Sequence, residues 1–245
     1  IAIASIPGDY GLDSANGAVM AAEELGLEIV YEGLGEVIPG DETTYDEVAS
    51  EIVGSGADIV FYTATPGAWS AVYARAVGQG FEALWSGASP SWNPAFVAED
   101  SAIRDAVARD MYVSGYYEPW DGESEGAARV RELMEAAGAD PNNFYGEGFV
   151  EAVIMRQALE RAYENGDMTQ EGVLAAAKSL ESVEFDGLAP EESYVGDPND
   201  IVQREIFISR PDPEAVTGSS LVESFYTSAV AENFEFTEAC YFLED

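Results

Sequence analysis

The sequence predicts an α/β fold built on a doubly wound parallel sheet, and three observations carry that prediction. The chain opens on an apolar strand, Ile1 to Ile6, followed by the turn Pro7-Gly8-Asp9-Tyr10-Gly11. A helical stripe of Ala15, Ala18, Val19, Ala22 and Leu25 comes next. The same strand-then-helix alternation returns after Leu27, Asp58, Ala83 and Met111. Strands alternating with helices of this length form right-handed βαβ units around a parallel sheet. Such sheets hold ligands beyond the carboxyl ends of their strands, so the βα turns are the place to look for a site.

Each element can be justified in order. Glu28 to Tyr31 reads as the second strand, and the loop Glu32 to Asp41 is rich in glycine. Tyr45, Val48, Ala49, Ile52 and Val53 share one helical face, and Gly54-Ser55-Gly56 ends that helix before the strand Asp58 to Tyr62. Thr63 to Gly67 is the next βα loop. Trp69, Val72, Tyr73 and Ala76 mark the helix after it, which stops near Gly78 to Gly80. The strand Ala83 to Ser86 leads into a Ser-, Pro- and Trp-containing loop, Gly87 to Pro94. Ile103, Ala106 and Val107 mark a short helix before the strand Met111 to Ser114. From Gly115 to Gly122 the composition turns to aromatics, Pro and Gly, as at a crossing between lobes. Beyond it the pattern is helical over 123–137, 145–165 and 169–180, with Thr169 as an N-cap. A last strand, Gln203 to Ser209, ends at Arg210-Pro211, and the tail 211–245 shows no assignable period.

Composition sets the class. With 245 residues, 47% of them hydrophobic, the chain can bury a sizeable core. No apolar run approaches the roughly 18 residues a membrane helix needs, and no signal-type leader precedes Ile1, so the expectation is a soluble chain without an address. Ten Lys and Arg against 47 Asp and Glu give a formal net charge of −37. A surface this acidic repels nucleic acid and anionic lipid, which argues against such partners. It fits either a halophilic setting, where salt screens self-repulsion, or a cationic partner. The chain has no histidine and a single cysteine, Cys240. That excludes intrachain disulfides, histidine-based triads and the usual structural zinc sites.

The turn Gly8-Asp9-Tyr10-Gly11 after an apolar strand, the run Gly54-Ser55-Gly56-Ala57-Asp58-Ile59-Val60-Phe61-Tyr62, and Ala158-Leu159-Glu160-Arg161-Ala162 ahead of Gly187 are informative in their order and spacing. Together they resemble the type I periplasmic solute-binding proteins of ABC importers, in the leucine/isoleucine/valine class. The resemblance spans roughly Ile1 to Pro211. It implies two doubly wound parallel-sheet lobes that close on a small solute, with the membrane subunits of an ABC transporter as partners. It also implies a periplasmic or extracellular location, with lipid anchoring through an N-terminal part if that part exists. By the same resemblance, 1–115 corresponds to the second lobe, 116–190 to a crossing segment and the returning helices of the first, and 191–210 to a final crossing strand. The first-lobe segment that precedes these in the family has no counterpart here.

The resemblance and the βα turns point to the same candidates. Tyr10 lies in the first turn, where the family places a ligand-contacting tyrosine; packing on its own helix is the alternative. Thr63 and Thr65 flank a helix start and could hold an anionic or carbonyl group, although Thr65 could equally be an ordinary cap. In Ser86-Gly87-Ala88-Ser89-Pro90-Ser91-Trp92 the family's amino-acid binders carry a glutamate that neutralises the ligand ammonium. This chain has none there, and a buried ammonium without a carboxylate is costly, so an α-amino-acid ligand is disfavoured. Trp85 and Trp92 would supply an apolar or stacking wall there instead, although Trp85 could equally be strand core, and Ser89 is a further ligand-contacting candidate. Tyr116, Tyr117 and Trp120 either line a cleft or pack a hinge. Glu151 interrupts the stripe Ile154, Met155, Ala158, Ala162 and reads as a lobe-to-lobe hydrogen-bonding group.

Signatures of catalysis are missing. There is no G-x-S-x-G elbow, no P-loop around Lys178, and Gly8 to Gly11 is not a dinucleotide fingerprint. Gly196-Asp197-Pro198-Asn199-Asp200 lacks an EF-hand pattern and reads as a polar turn. The expectation is a non-enzymatic binder without cofactor or metal that takes a small polar or aromatic solute. The alternatives are a carboxylate-based enzyme on a similar sheet and the ligand domain of a sensory receptor.

Overall fold

The computed structural model describes residues 1–197 and 201–235. The first part of the chain runs β1 (Ala2–Ser5), α1 (Asp9–Glu24), β2 (Tyr31–Gly33), α2 (Glu42–Ser55), β3 (Ile59–Thr63), α3 (Pro66–Gly78), β4 (Leu84–Ala88), α4 (Arg104–Asp110) and β5 (Met111–Gly115). Then follow α5 (Glu125–Ala136), α6 (Phe144–Glu164), α7 (Gln170–Ala177), β6 (Ile206–Pro211), β7 (Ser219–Tyr226) and α8 (Ala229–Asn233). The strands form a seven-stranded sheet in the order β2-β1-β3-β4-β5-β6-β7. The ladders from β2 to β5 are all parallel, with Ala2 opposite both Tyr31 and Val60.

The chain divides into two compact units, one of residues 1–114 and 208–219, the other of 115–207 and the described residues from 220. In the first unit, the period of two along β1 shows how the sheet is covered. Ala2 and Ala4 join Tyr45, Val48 and Ile52 of α2 and Trp69 and Val72 of α3 in the main core. Ile3 points the other way and packs with Ala15 and Ala22 of α1. All four β1 residues are buried, as a strand sandwiched between helices requires. Tyr62, Trp69, Tyr73, Trp85 and Phe96 form an aromatic centre, with Trp69 and Tyr73 stacked at 4.9 Å and Trp85 edge-on to Tyr73 at 5.1 Å. Beneath it the Tyr73 hydroxyl donates to Asp110 at 2.8 Å, and Arg109 pairs with the same carboxylate. Arg210 of β6 donates to the Ala108 carbonyl at 2.7 Å and lies over the Tyr112 ring.

The second unit packs α5, α6 and 180–189 around Tyr117, Trp120, Val130, Val150, Phe185 and Leu188. Thr169 caps α7 by accepting from the Gly172 N–H at 3.1 Å, as its sequence position suggested.

Several boundaries differ from the expectation. α1 starts at Asp9 rather than after Gly11, because Gly8 alone makes the turn, at φ 85°. Tyr10 therefore stands in the first turn of a helix. β2 begins at Tyr31 and not at Glu28, since the β1 register pairs Ala2 with Tyr31. Glu151 is exposed: Ala158 and Ala162 of the expected stripe do face inward, with Ile154 packed beside them, but Val150 continues that row while Glu151 and Met155 stand one position round the helix from it. The tail from 211 carries β7 and α8. Pro198 to Asp200 and Cys240 lie outside the described residues.

Candidate functional site

The order β2-β1-β3 means the chain moves from β1 to β2 on one side and then crosses back past β1 to place β3 on the other. This reversal is the switch point at which doubly wound sheets open a crevice beyond their carboxyl ends. The loops after β1, β3 and β4 bring a set of hydroxyls together there. Gly11 seats α1 against the end of β1: a Cβ at this position would lie 1.8 Å from the Ile6 carbonyl oxygen. The tight contact fixes the helix start and with it Tyr10 and Ser14. The Tyr10 hydroxyl is 3.1 Å from Ser91 Oγ. Ser91 is fully buried, donates to the Ala64 carbonyl at 2.8 Å and faces the Ala64 N–H at 3.4 Å. Ser14 Oγ and Thr63 Oγ1 are 2.8 Å apart. Burial pushes the Tyr10 phenol above its ordinary pKa.

The sequence-derived candidates fall in different places. Tyr10 is 36% exposed and holds its hydroxyl toward the β3 and β4 loops. Thr63, by contrast, is 1% exposed and engaged with Ser14. Thr65 occupies the N-cap position of α3 in extended conformation, but its side chain makes no capping bond and stands exposed. Ser89 opens a short 3-10 turn after β4 and donates to the Ser114 carbonyl at 3.0 Å. Trp92, expected to form a stacking surface, is 4% exposed and packs edge-on against Phe96 at 5.6 Å in the core. The apolar core takes the indole, and Ser91 faces the loops in its place. Ser91 and Ser14 were not singled out from sequence.

Tyr116 belongs to the second unit. It stands at 36% exposure, edge-on to Tyr117, and its hydroxyl donates to Glu147 at 3.2 Å. Burial and the Glu147 charge push its pKa up to about 12. Tyr117 and Trp120 are buried in that unit's core. The same unit holds a cavity of about 530 Å³ lined by α5, α6 and 184–186, with Arg129 and Arg156 beside Leu133, Phe149 and Val153. Among the described residues no group of His, Cys, Asp and Glu is placed to hold a metal ion, and no helix is long and apolar enough to cross a membrane.

Residues 2–217 match the model of a family described as periplasmic binding protein. No curated protein sequence matches the chain. Among solved structures, a fatty acid ABC transporter substrate-binding protein from Thermomonospora curvata is similar at 23% identity and TM-score 0.85, over 98% of this chain and 60% of that one. An ABC transporter substrate-binding protein from Aeropyrum pernix aligns at 18% identity and TM-score 0.72, over 94% of this chain and 60% of its own. A branched-chain amino acid ABC transporter protein from Thermus thermophilus with bound valine shows 21% identity and TM-score 0.68, over 94% and 61%. The chain thus spans about 60% of the length of these relatives.

Proposed function

The chain belongs to the periplasmic binding protein family, and on that premise we propose that it captures a small polar or aromatic solute outside the cytoplasm and delivers it to an ABC importer. Its mainly parallel sheet flanked by helices is the type I fold of that family. The observation that carries the reading is the hydroxyl set at the β1/β3 switch point, where Tyr10 rises from the first turn of α1 onto Ser91. Solute sites of this kind are concave and pre-formed, with a few fixed polar groups to set orientation. Thr65 and Ser89 stand in the neighbouring loops as further candidate contacts. The loop after β4 has no carboxylate between Ser86 and Trp92, which favours a solute without a free α-amino group. Relatives named for fatty acid and for bound valine support both apolar and amino-acid cargo, so membership of the leucine/isoleucine/valine class rests on the sequence motifs. Residues 1–115 would form the second lobe, with the rest returning to a first lobe whose remaining part lies outside this chain. Leu133, Phe144, Met155 and Leu159 on α5 and α6, all well exposed, support that reading.

Calorimetry with leucine, glutamate, urea and benzoate tests the proposal on the full-length protein, its Tyr10→Ala variant and residues 1–245 alone. The full-length protein is expected to bind at least one solute without turnover. Tyr10→Ala should weaken it about 5- to 150-fold, the equivalent of about 1–3 kcal/mol. The 245-residue chain alone should bind none. Tight leucine binding that survives Tyr10→Ala would refute both the specificity argument and the site.

A further inference from the structure

The hydrogen bonds around Ser91 fix a direction for the Tyr10 proton. Ser91 Oγ carries one proton and is wholly shielded from solvent. Its shortest contact, 2.8 Å, is to the Ala64 carbonyl oxygen, which can only accept. The proton is therefore committed to Ala64. Turning it toward Tyr10 would leave a buried carbonyl unpaired, an arrangement folded proteins avoid. The Ala64 N–H, at 3.4 Å, approaches the same Oγ as a donor. What remains on Ser91 is acceptor capacity, and the Tyr10 hydroxyl at 3.1 Å is the group placed to use it.

Accepting the solute-capture reading above, we infer that Tyr10 spends its proton on Ser91 and offers a ligand only its oxygen lone pairs, so that this point of the site selects a solute that donates, such as a carboxamide N–H, over the matching carboxylate. A phenol that donated to the ligand would favour the opposite. The raised pKa of Tyr10 keeps the hydroxyl protonated at neutral pH, so the phenolate plays no part in this selection. Ser91 acts as a positioning residue: it does not reach the ligand but sets which role Tyr10 plays.

The test has two arms on the full-length protein. Without ligand, ultraviolet resonance Raman difference spectra, wild type minus Tyr10→Phe, report whether the Tyr10 hydroxyl donates or accepts. Donation in the wild type and its loss in Ser91→Ala are expected, whereas an accepting Tyr10 overturns the inference. With ligand, matched pairs are titrated: isovaleramide and isovalerate, benzamide and benzoate, octanamide and octanoate. Tyr10→Phe should weaken the bound amide about 3- to 10-fold, the range of one neutral hydrogen bond, and change the paired carboxylate less than about 2-fold. Ser91→Ala should narrow the preference for the amide, because the freed phenol proton can then be donated. A carboxylate that loses as much as its amide in Tyr10→Phe overturns the inference. A wild-type protein that binds no member of any pair counts against the solute classes of the functional reading, and the Raman arm then decides the proton's direction by itself.

Discussion

Two glycines of α1 should respond to the same substitution in opposite directions. Gly11 is buried where the helix meets the end of β1, and a Cβ there would stand 1.8 Å from the Ile6 oxygen and 2.7 Å from its carbonyl carbon. Ordinary contact begins near 3.4 Å, so Gly11→Ala would push the helix start and the strand apart by about 1.6 Å. Overpacking of this kind costs about 1–3 kcal/mol, and here the obstacle is backbone, which yields less readily than a side-chain end. Tyr10 lies beside Gly11, so its 3.1 Å contact with Ser91 would stretch as well. Gly17, further along the same helix, is exposed and would have nothing within 4 Å of a new Cβ. There Ala gains about 0.5–1 kcal/mol by relieving the conformational freedom glycine keeps in the unfolded chain. For a chain of this size each kcal/mol moves the melting temperature by about 2–4 °C. Thermal melts of the full-length protein should show Gly17→Ala rising by about 1–4 °C and Gly11→Ala falling by about 2–12 °C. Equal melting points for the two variants would refute the close approach of α1 to β1 on which the placement of Tyr10 depends.

Salt should stabilise the protein, because screening relieves the repulsion behind a net charge of −37. Melts from dilute buffer to molar salt should rise, and a flat or falling series would sink the halophilic reading. Stability should also fail on the alkaline side. Burial raises the pKa of Tyr62, Tyr73 and Tyr117, with the Asp110 contact adding to the effect at Tyr73, while Tyr116 is pushed up to about 12. The unfolded chain gives up phenol protons near pH 10, whereas the folded protein retains them, so this stabilisation is intact below about pH 10 and is lost as pH climbs above it. Urea midpoints should hold between pH 7 and 9 and drop beyond pH 10, with tyrosinate absorbance appearing together with unfolding. Tyrosinate that forms well before unfolding would contradict the shifts.

The alternation of strands and helices was legible because apolar periodicity reports directly on which face of each element is covered. That is why α2 appeared with Tyr45, Val48, Ala49 and Ile52 facing inward, all of them buried. Boundaries were less legible where a single residue decides them: the left-handed Gly8 shortened the expected turn, and pairing with Ala2 delayed β2 to Tyr31. β7 went unread because, at the edge of the sheet beside β6, half of its residues are exposed and it carries no clean apolar alternation. At the site, Tyr10 and Thr63 could be picked out from their positions after strands. Ser14 and Ser91 could not, since their partners are set by the order of β1, β3 and β4 in space. Trp92 and Glu151 erred for a common reason. Residue type suggests a role, but the direction of the side chain depends on a rotation of one position along the backbone.

The aromatic centre of the first unit also makes the protein its own spectroscopic reporter. Of the four tryptophans in the chain, Trp69, Trp85 and Trp92 sit in that one core, and only Trp120 lies in the other. Intrinsic emission, blue-shifted by burial and fed by energy transfer from the adjacent Tyr62 and Tyr73 rings, therefore tracks the integrity of the unit that carries Tyr10 and Ser91. Far-ultraviolet dichroism, dominated by helix, draws on both units about equally, from α1 to α4 in the first and from α5 to α8 in the second. Following both signals through one denaturation separates the fate of the two units without a label or a mutation.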